Sequence, residues 1–276
     1  MIAEEILQSR DLIAVGARGD EARRRRHGAR TTFVRVLEVH ADVIPSALPS
    51  HEGAGELRLV GAPTSVEAAV SAIGLAKDIA GLIPVTAFSL ADLAAMAGSP
   101  GRFRDLLAAL AAVGLETIAE APIDVLSDPV AAVRAARDAG LLVPRLTVHR
   151  LAESARTSTM ALASEIQTAA GGVRAFAPLP RVMSVAQPTT GYDDVKLIAL
   201  ARLMTDNIES IQVDWSLYGP KLAQVALTMG ADDVDGVSAQ PGTLGRRRSP
   251  IEEIRGNIVA AGLEPQERNA RFEPLA

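Results

Sequence analysis

The stretch at 207–240, NIESIQVDWSLYGPKLAQVALTMGADDVDGVSAQ, holds one complete structural repeat. Its first part, SIQVD at 210–214, is a short run rich in branched side chains and suits a buried strand. The segment 218–229 then carries Ala, Leu and Val at helical spacing and stops at Gly230, where a left-handed C-cap is useful. A second short strand follows at 234–236. Strand, helix, glycine and strand within about thirty residues is the unit of a parallel sheet.

Working outward, the same rhythm recurs as AVGLETI, DAGLLVPRL and AAGGVRAF. Strands are predicted at 33–39, 56–60, 83–87, 117–119, 145–149, 175–178, 210–214 and 234–236. Between them fall helices at 66–80, 89–96, 101–113, 129–139, 154–170, 195–203, 218–229 and 251–261. Several end at a glycine: Gly81, Gly114, Gly140, Gly171, Gly230 and Gly262. The 276 residues suit a single α/β domain. The expectation is a TIM-type (β/α) barrel, either full with eight strands or partial with six. It would fill 1–276, with an N-terminal helical extension at about 1–30 and a C-terminal tail at about 264–276 that crosses the barrel.

Hydrophobic residues make up 48% of the chain but aromatics only 3%, so the core must come from many small aliphatic side chains. A net charge of −5 gives no general attraction to nucleic acid or anionic membranes, and neither is expected as a partner. Two basic runs, Arg23 to Arg26 and Arg246 to Arg248, read as solvated faces or binding patches, and neither has the interleaved aromatics that stack on bases. Glu4 and Glu5 stand where a leader would be basic, and no apolar run is long enough to span a bilayer, so a cytoplasmic location is expected. Cysteine is absent, which removes disulfides, thiolate metal sites and cysteine nucleophiles. The Pro-, Ser- and Gly-rich stretch at 40–55 has no period and reads as a loop following the first strand, on the rim where barrel active sites sit.

Long blocks of this sequence resemble the radical-SAM family of aminofutalosine synthase, dehypoxanthine futalosine cyclase and FO synthase. They are the stretch 207–240, IEEIRGNIVAAGLEPQERNARFE at 251–273, AAGGVRAFAPLP at 169–180 and HGARTTFVR at 27–35. The resemblance implies a radical-SAM-like barrel and menaquinone biosynthesis by the futalosine route. After its first strand that family carries Cys-x-x-x-Cys-x-x-Cys, whose thiolates hold a [4Fe–4S] cluster to which SAM binds. Here the same span has His40 and His51 and no cysteine, so neither the cluster nor any other metal is expected, and SAM or a nucleoside is left as a possible ligand. At 117–124, TIAEAPID, Asp124 falls where the family has a glutamate after a Gly-rich run, while Glu120 and Pro122 replace glycines.

The catalytic candidates are His149, Asp124 and Asp214. His149 ends the strand RLTVH, so its imidazole is a candidate base or hydrogen-bonding group at the rim, or simply a rim histidine bonded to backbone. Arg145, Arg181, Trp215, Asp233 and Asp235 are candidates for ligand binding. The arginines, with Arg174, could meet a carboxylate or lie on the surface. Trp215 could stack on a purine or close the barrel. Strand alternation lets Asp233 and Asp235 share a face but not all of Asp232, Asp233 and Asp235. Glu267 and Arg268 read as a structural ion pair. No Gly-rich phosphate loop, Ser–His–Asp signature or metalloprotease motif is present.

The expected function is a cluster-free pseudoenzyme of the menaquinone route, serving as a non-catalytic subunit or ligand-binding protein. Its partner would be a catalytic paralogue or another protein of that route, and its ligand a small nucleoside-like molecule. The alternative is a cofactor-independent lyase or isomerase acting on a nucleoside or a chorismate-derived acid.

Overall fold

The computed structural model describes residues 2–182, 190–241 and 250–275. Eight parallel strands close on themselves: β1 (Arg30–His40), β2 (Glu56–Val60), β3 (Val85–Ser89), β4 (Thr117–Pro122), β5 (Arg145–Val148), β6 (Ala175–Pro180), β7 (Ser210–Asp214) and β8 (Asp233–Ser238). Closure comes from β1, which pairs with β8 through its first half and with β2 through its second. The barrel is the full eight-stranded form.

Helices α3 (Val66–Ala80), α4 (Leu90–Ala97), α5 (Pro100–Ala112), α6 (Pro129–Asp138), α7 (Arg156–Ala170), α8 (Gly191–Met204), α9 (Trp215–Leu227) and α10 (Pro250–Ala260) connect and surround the strands. Ser65, Ser89, Asp128, Thr190 and Asp214 each accept a backbone N–H of the helix they precede, so capping marks the strand-to-helix turns, and Ser99 does the same between α4 and α5. Within α9 the chain breaks at Gly219, whose φ is +74°, and Pro220 restarts the helix.

Two further helices, α1 (Ile2–Gln8) and α2 (Leu12–His27), pack on α8. Arg23 on α2 is fully buried and bonds Asp20 and the Gly28 carbonyl, while Arg26 bonds the Asp206 and Ile208 carbonyls. This basic run is therefore partly a docking device and not wholly a solvated face. The run at 246–248 lies outside the described residues.

The tail supplies a ninth strand, β9 (Glu264–Glu267), parallel to the start of β1. Residues 268–275 then turn across the N-terminal end of the barrel: Ala270 bonds the Gly55 carbonyl and Arg271 pairs with Glu116 just ahead of β4. Glu267 and Arg268 do not pair with each other. Glu267 meets Arg35, and Arg268 reaches Asp233.

Strand alternation separates two environments. Leu57, Leu59, Leu146, Val148, Ile211, Val213 and Val234 point outward into one apolar layer shared with the helices. The inward positions Glu56, Arg58, Thr86, Arg145, Thr147, Gln212, Asp214, Asp233 and Asp235 are polar and buried. Barrels of this type are usually filled by branched aliphatics, so the charged interior is the feature that calls for explanation.

Candidate functional site

The inward polar groups form three levels. At the floor, Asp233 is held by Arg268 through two bonds of 2.6 Å and by Thr32 and Gln212. Burial opposes the charge on Arg268, but Asp233 outweighs it and raises the guanidinium's pKa. Above it, Asp235 lies between Arg58 and Arg145, and Glu56 pairs with Arg58 while accepting from Thr86. Burial alone would favour protonated carboxyls here, yet the arginines hold Asp235 well below the usual carboxylate range and lower Glu56 as well. These charges are mutually satisfied.

The uppermost level is the mouth. His149 Nε2 lies 3.1 Å from Glu120 Oε1, and the other Glu120 oxygen is 3.2 Å from Arg181 Nε. Arg181 Nη2 donates to Asp214 Oδ2 at 2.7 Å, and Asp214 Oδ1 accepts from Ser216 and from the Leu217 N–H. One polar chain thus runs His149–Glu120–Arg181–Asp214 across the ends of β4 to β7, hydrogen-bonded at both ends and joined by the Glu120–Arg181 ion pair. Burial pushes the Glu120 carboxyl up, but His149, Arg181 and Arg145 together bring it down to about 2. The same hydrogen bond to Glu120 raises the pKa of His149 against the opposing effect of burial, with help from Asp124. The Asp92 carboxyl on α4 is raised by burial and by the Glu120 charge. Just ahead of α4, Phe88 has a φ of +61°, a strained conformation for a bulky residue at the end of β3.

Among the sequence candidates, His149, Arg181 and Asp214 come together at this mouth. The side chains of His149 and Arg181 are 27% and 18% exposed, so solvent reaches them while Asp235 is sealed. Asp124 acts on the backbone instead. Its two oxygens accept the N–H groups of His149 and Arg150 at 2.8 and 2.6 Å, which fixes the loop carrying the imidazole. Arg145, Asp235 and Asp233 sit beneath the mouth, in the interior ion pairs. Arg145 is buried, not a surface arginine, because it points inward and donates to the Ala119 carbonyl. Trp215 is half-buried and packs against the apolar layer. Arg174 lies at the opposite end and pairs with Glu209.

Glu120, Glu56, Arg58 and Gln212 are not among the candidates the sequence suggests. A signal exists nonetheless: ELRLV, RLTVH, SIQVD and DVD all alternate polar and apolar residues, whereas a strand buried on both faces by apolar neighbours reads as a continuous hydrophobic run.

The loop at 41–55 does not suit an iron–sulfur cluster. It has no thiolate, His40 lies against Asp42, and His51 Nδ1 is 3.4 Å from the Ala54 N–H. Among the described residues no three His, Asp or Glu side chains are grouped so as to hold a metal ion. Nor is any described helix long and apolar enough to cross a membrane.

Fold and site together define a closed (β/α)8 barrel with an ion-paired interior and a polar mouth. Residues 175–276 match the family described as CofH/MqnC C-terminal region. The chain is 33% identical over 133 residues to the 5-amino-6-(D-ribitylamino)uracil–L-tyrosine 4-hydroxyphenyl transferase of Archaeoglobus fulgidus, covering 44% of this chain and 39% of that protein. It is 32% identical over 138 residues to the aminodeoxyfutalosine synthase of Streptomyces coelicolor, covering 40% and 34%. The chain thus spans well under half the length of these relatives. From β6 onward the chain is similar to the CofH/MqnC C-terminal region, and it carries no cysteine.

The same fold occurs in methylornithine synthase, with a TM-score of 0.64 at 13% identity over 95% of this chain and 92% of that one. The [FeFe]-hydrogenase maturase HydG gives a TM-score of 0.64 at 15% identity, covering 98% and 74%.

Proposed function

We propose that this chain is a non-catalytic, ligand-binding relative of the aminodeoxyfutalosine synthase group that takes a small nucleoside-like molecule at its barrel mouth. It would act as a subunit or partner of a catalytic relative. The observation that carries the reading is the His149–Glu120–Arg181–Asp214 chain, partly open to solvent above an interior whose charges are already paired. The mouth retains polar groups able to orient a ligand, while the loop after β1 lacks the thiolates that the family's chemistry requires.

The test is a thermal-shift panel of SAM, 5′-deoxyadenosine, aminodeoxyfutalosine, adenine and 3-(1-carboxyvinyloxy)benzoate. A ligand at a hundred times its dissociation constant adds about 2.7 kcal/mol of stability. A response to a nucleoside member, lost in Arg181→Ala, supports the reading; no response to any member contradicts it.

A second reading is favoured by one feature of the same site. His149 is held at its ring by Glu120 and at its backbone by Asp124, an arrangement that would also serve a general base in lyase or isomerase chemistry. That reading requires turnover by the purified chain, abolished in a folded His149→Ala variant.

A further inference from the structure

At the end of the barrel opposite the mouth, the starts of four strands and the tail line a cavity of about 200 Å³. Arg174, Glu209 and Asp232 stand one residue ahead of β6, β7 and β8, and Arg30 is the first residue of β1. The tail adds Phe272 and Pro274 to the wall. The reading of the mouth uses none of these groups.

Most of the charges around this cavity are already neutralised. Arg268 is taken up by Asp233 and the Asn269 carbonyl, and Asp232 accepts from Arg202 and the Ile211 N–H. Glu209 pairs with Arg174 at 2.8 Å, while His27 Nε2 lies 3.0 Å from the Glu209 carbonyl and 3.3 Å from Asp232. The Arg30 side chain, by contrast, has no hydrogen bond or ion pair among the described residues. Glu264 is its register partner on β9, yet the two form no ion pair and Glu264 does not line the cavity. Three ion pairs and one lone guanidinium leave the fixed charges here one positive in excess.

The wall beside that charge is aromatic. Phe272 has a φ of +62°, a region bulky side chains rarely adopt, and the turn holding it there is braced by the Arg271 and Glu273 N–H groups donating to Asn269 Oδ1. Its ring is stacked by Arg268 at 3.8 Å from the centroid, with Arg174 at 6.0 Å. At about 30 Å³ per water the cavity holds roughly seven waters, room for one ring and a carboxylate. A free guanidinium meets a carboxylate through two parallel N–H···O bonds, and a flat ring packs on Phe272 and Pro274. A doubly charged anion suits it less, because the Glu209 and Asp232 carboxylates line the same space.

We propose that this basal cavity is a second ligand site, separate from the mouth, that binds a small aromatic monocarboxylate with Arg30 on the carboxylate and Phe272 against the ring. The site stands or falls independently of what the mouth binds.

Benzoate is the probe, titrated into the whole chain near neutral pH, with benzamide and inorganic phosphate as comparisons. The readout is the His27 ring signal in proton–carbon NMR spectra, assigned with His27→Gln, since His27 lines this cavity and not the mouth. Benzoate should move that signal saturably. Benzamide, which keeps the ring and loses the charge, should bind at least about tenfold more weakly, and Arg30→Gln should weaken benzoate by about tenfold or more. Arg30 is exposed, so this variant keeps the fold, and the benzamide comparison needs no variant at all. Arg181→Ala, at the mouth, should leave benzoate binding unchanged. No saturable movement of the His27 signal overturns the proposal, as does benzoate binding that survives Arg30→Gln intact or disappears in Arg181→Ala. Phosphate binding as tightly as benzoate also overturns it, since the site would then be a cationic patch without a place for the ring.

Discussion

Glu120 lies 3.1 Å from the His149 ring, an ion pair whenever the imidazole is protonated, and each shifts the other's titration. The Glu120 carboxyl, brought from its ordinary 4.5 to about 2, contributes stability above pH 4.5 that is lost as pH falls toward 2. His149, raised above its ordinary 6.5, contributes stability that is complete below 6.5 and lost as pH rises through its folded-state value. Urea midpoints followed from about pH 5 to about pH 9 should therefore decline on the alkaline side in wild type, and His149→Gln should flatten that decline. A second residue test concerns Asp124. Asp124→Ala removes the acceptor for two N–H groups, and calorimetry should show a loss of about 1–3 kcal/mol together with weaker ligand response, because the His149 loop is released. Gly236 gives a third. Its φ is +71°, and a Cβ there would meet Asp214 Oδ1 at 2.7 Å. Gly236→Ala should cost about 1–3 kcal/mol and displace Asp214 from Arg181, visible as reduced thermal stability and reduced nucleoside affinity.

At the scale of elements, the tail from β9 onward acts as the barrel's floor. Arg268 brings a charge to Asp233, which no solvent reaches, and stacks on Phe272 with its guanidinium 3.8 Å from the ring centroid. Arg268→Met should cost about 3–5 kcal/mol because Asp233 is left buried without its counter-ion, and Arg268→Met with Asp233→Asn should recover part of that loss. Denaturant unfolding of the two variants measures the difference. The rhythm of strand, helix and glycine is legible in the sequence because buried aliphatic strands and glycine caps leave a strong pattern, as in GLETIAEAP and MGADDVDG. The ninth strand is not, since EPQE has no aliphatic side chain beyond its proline ring and joins the sheet through its backbone along the first four residues of β1. The shift of β3 by two residues, to Val85–Ser89, likewise depends on the strained turn at Phe88, which no side-chain pattern announces.

For the whole molecule, the decisive contrast lies between the two sides of the barrel wall. Outside it, the packing follows the apolar periodicity read from the sequence. Inside, the ends of strands point to His149, Asp214 and Arg181, which do meet at the mouth. Their partner Glu120 stays hidden, because a glutamate in TIAEAP carries no mark of which way it points. Arg145 and Asp235 stand out as polar residues near strand ends, but their place in the interior depends on how strand shear levels the side chains around a closed barrel. On the proposed reading, the interior is settled and the mouth binds without converting. Calorimetric titration of the purified chain with its best nucleoside ligand, followed by chromatographic recovery of that ligand, tests it most directly. A mouth that only binds should give saturable binding at one site per chain, lost in Arg181→Ala, with the ligand recovered unchanged. Recovery of a converted product, or no saturable heat with any member of the panel, would contradict it.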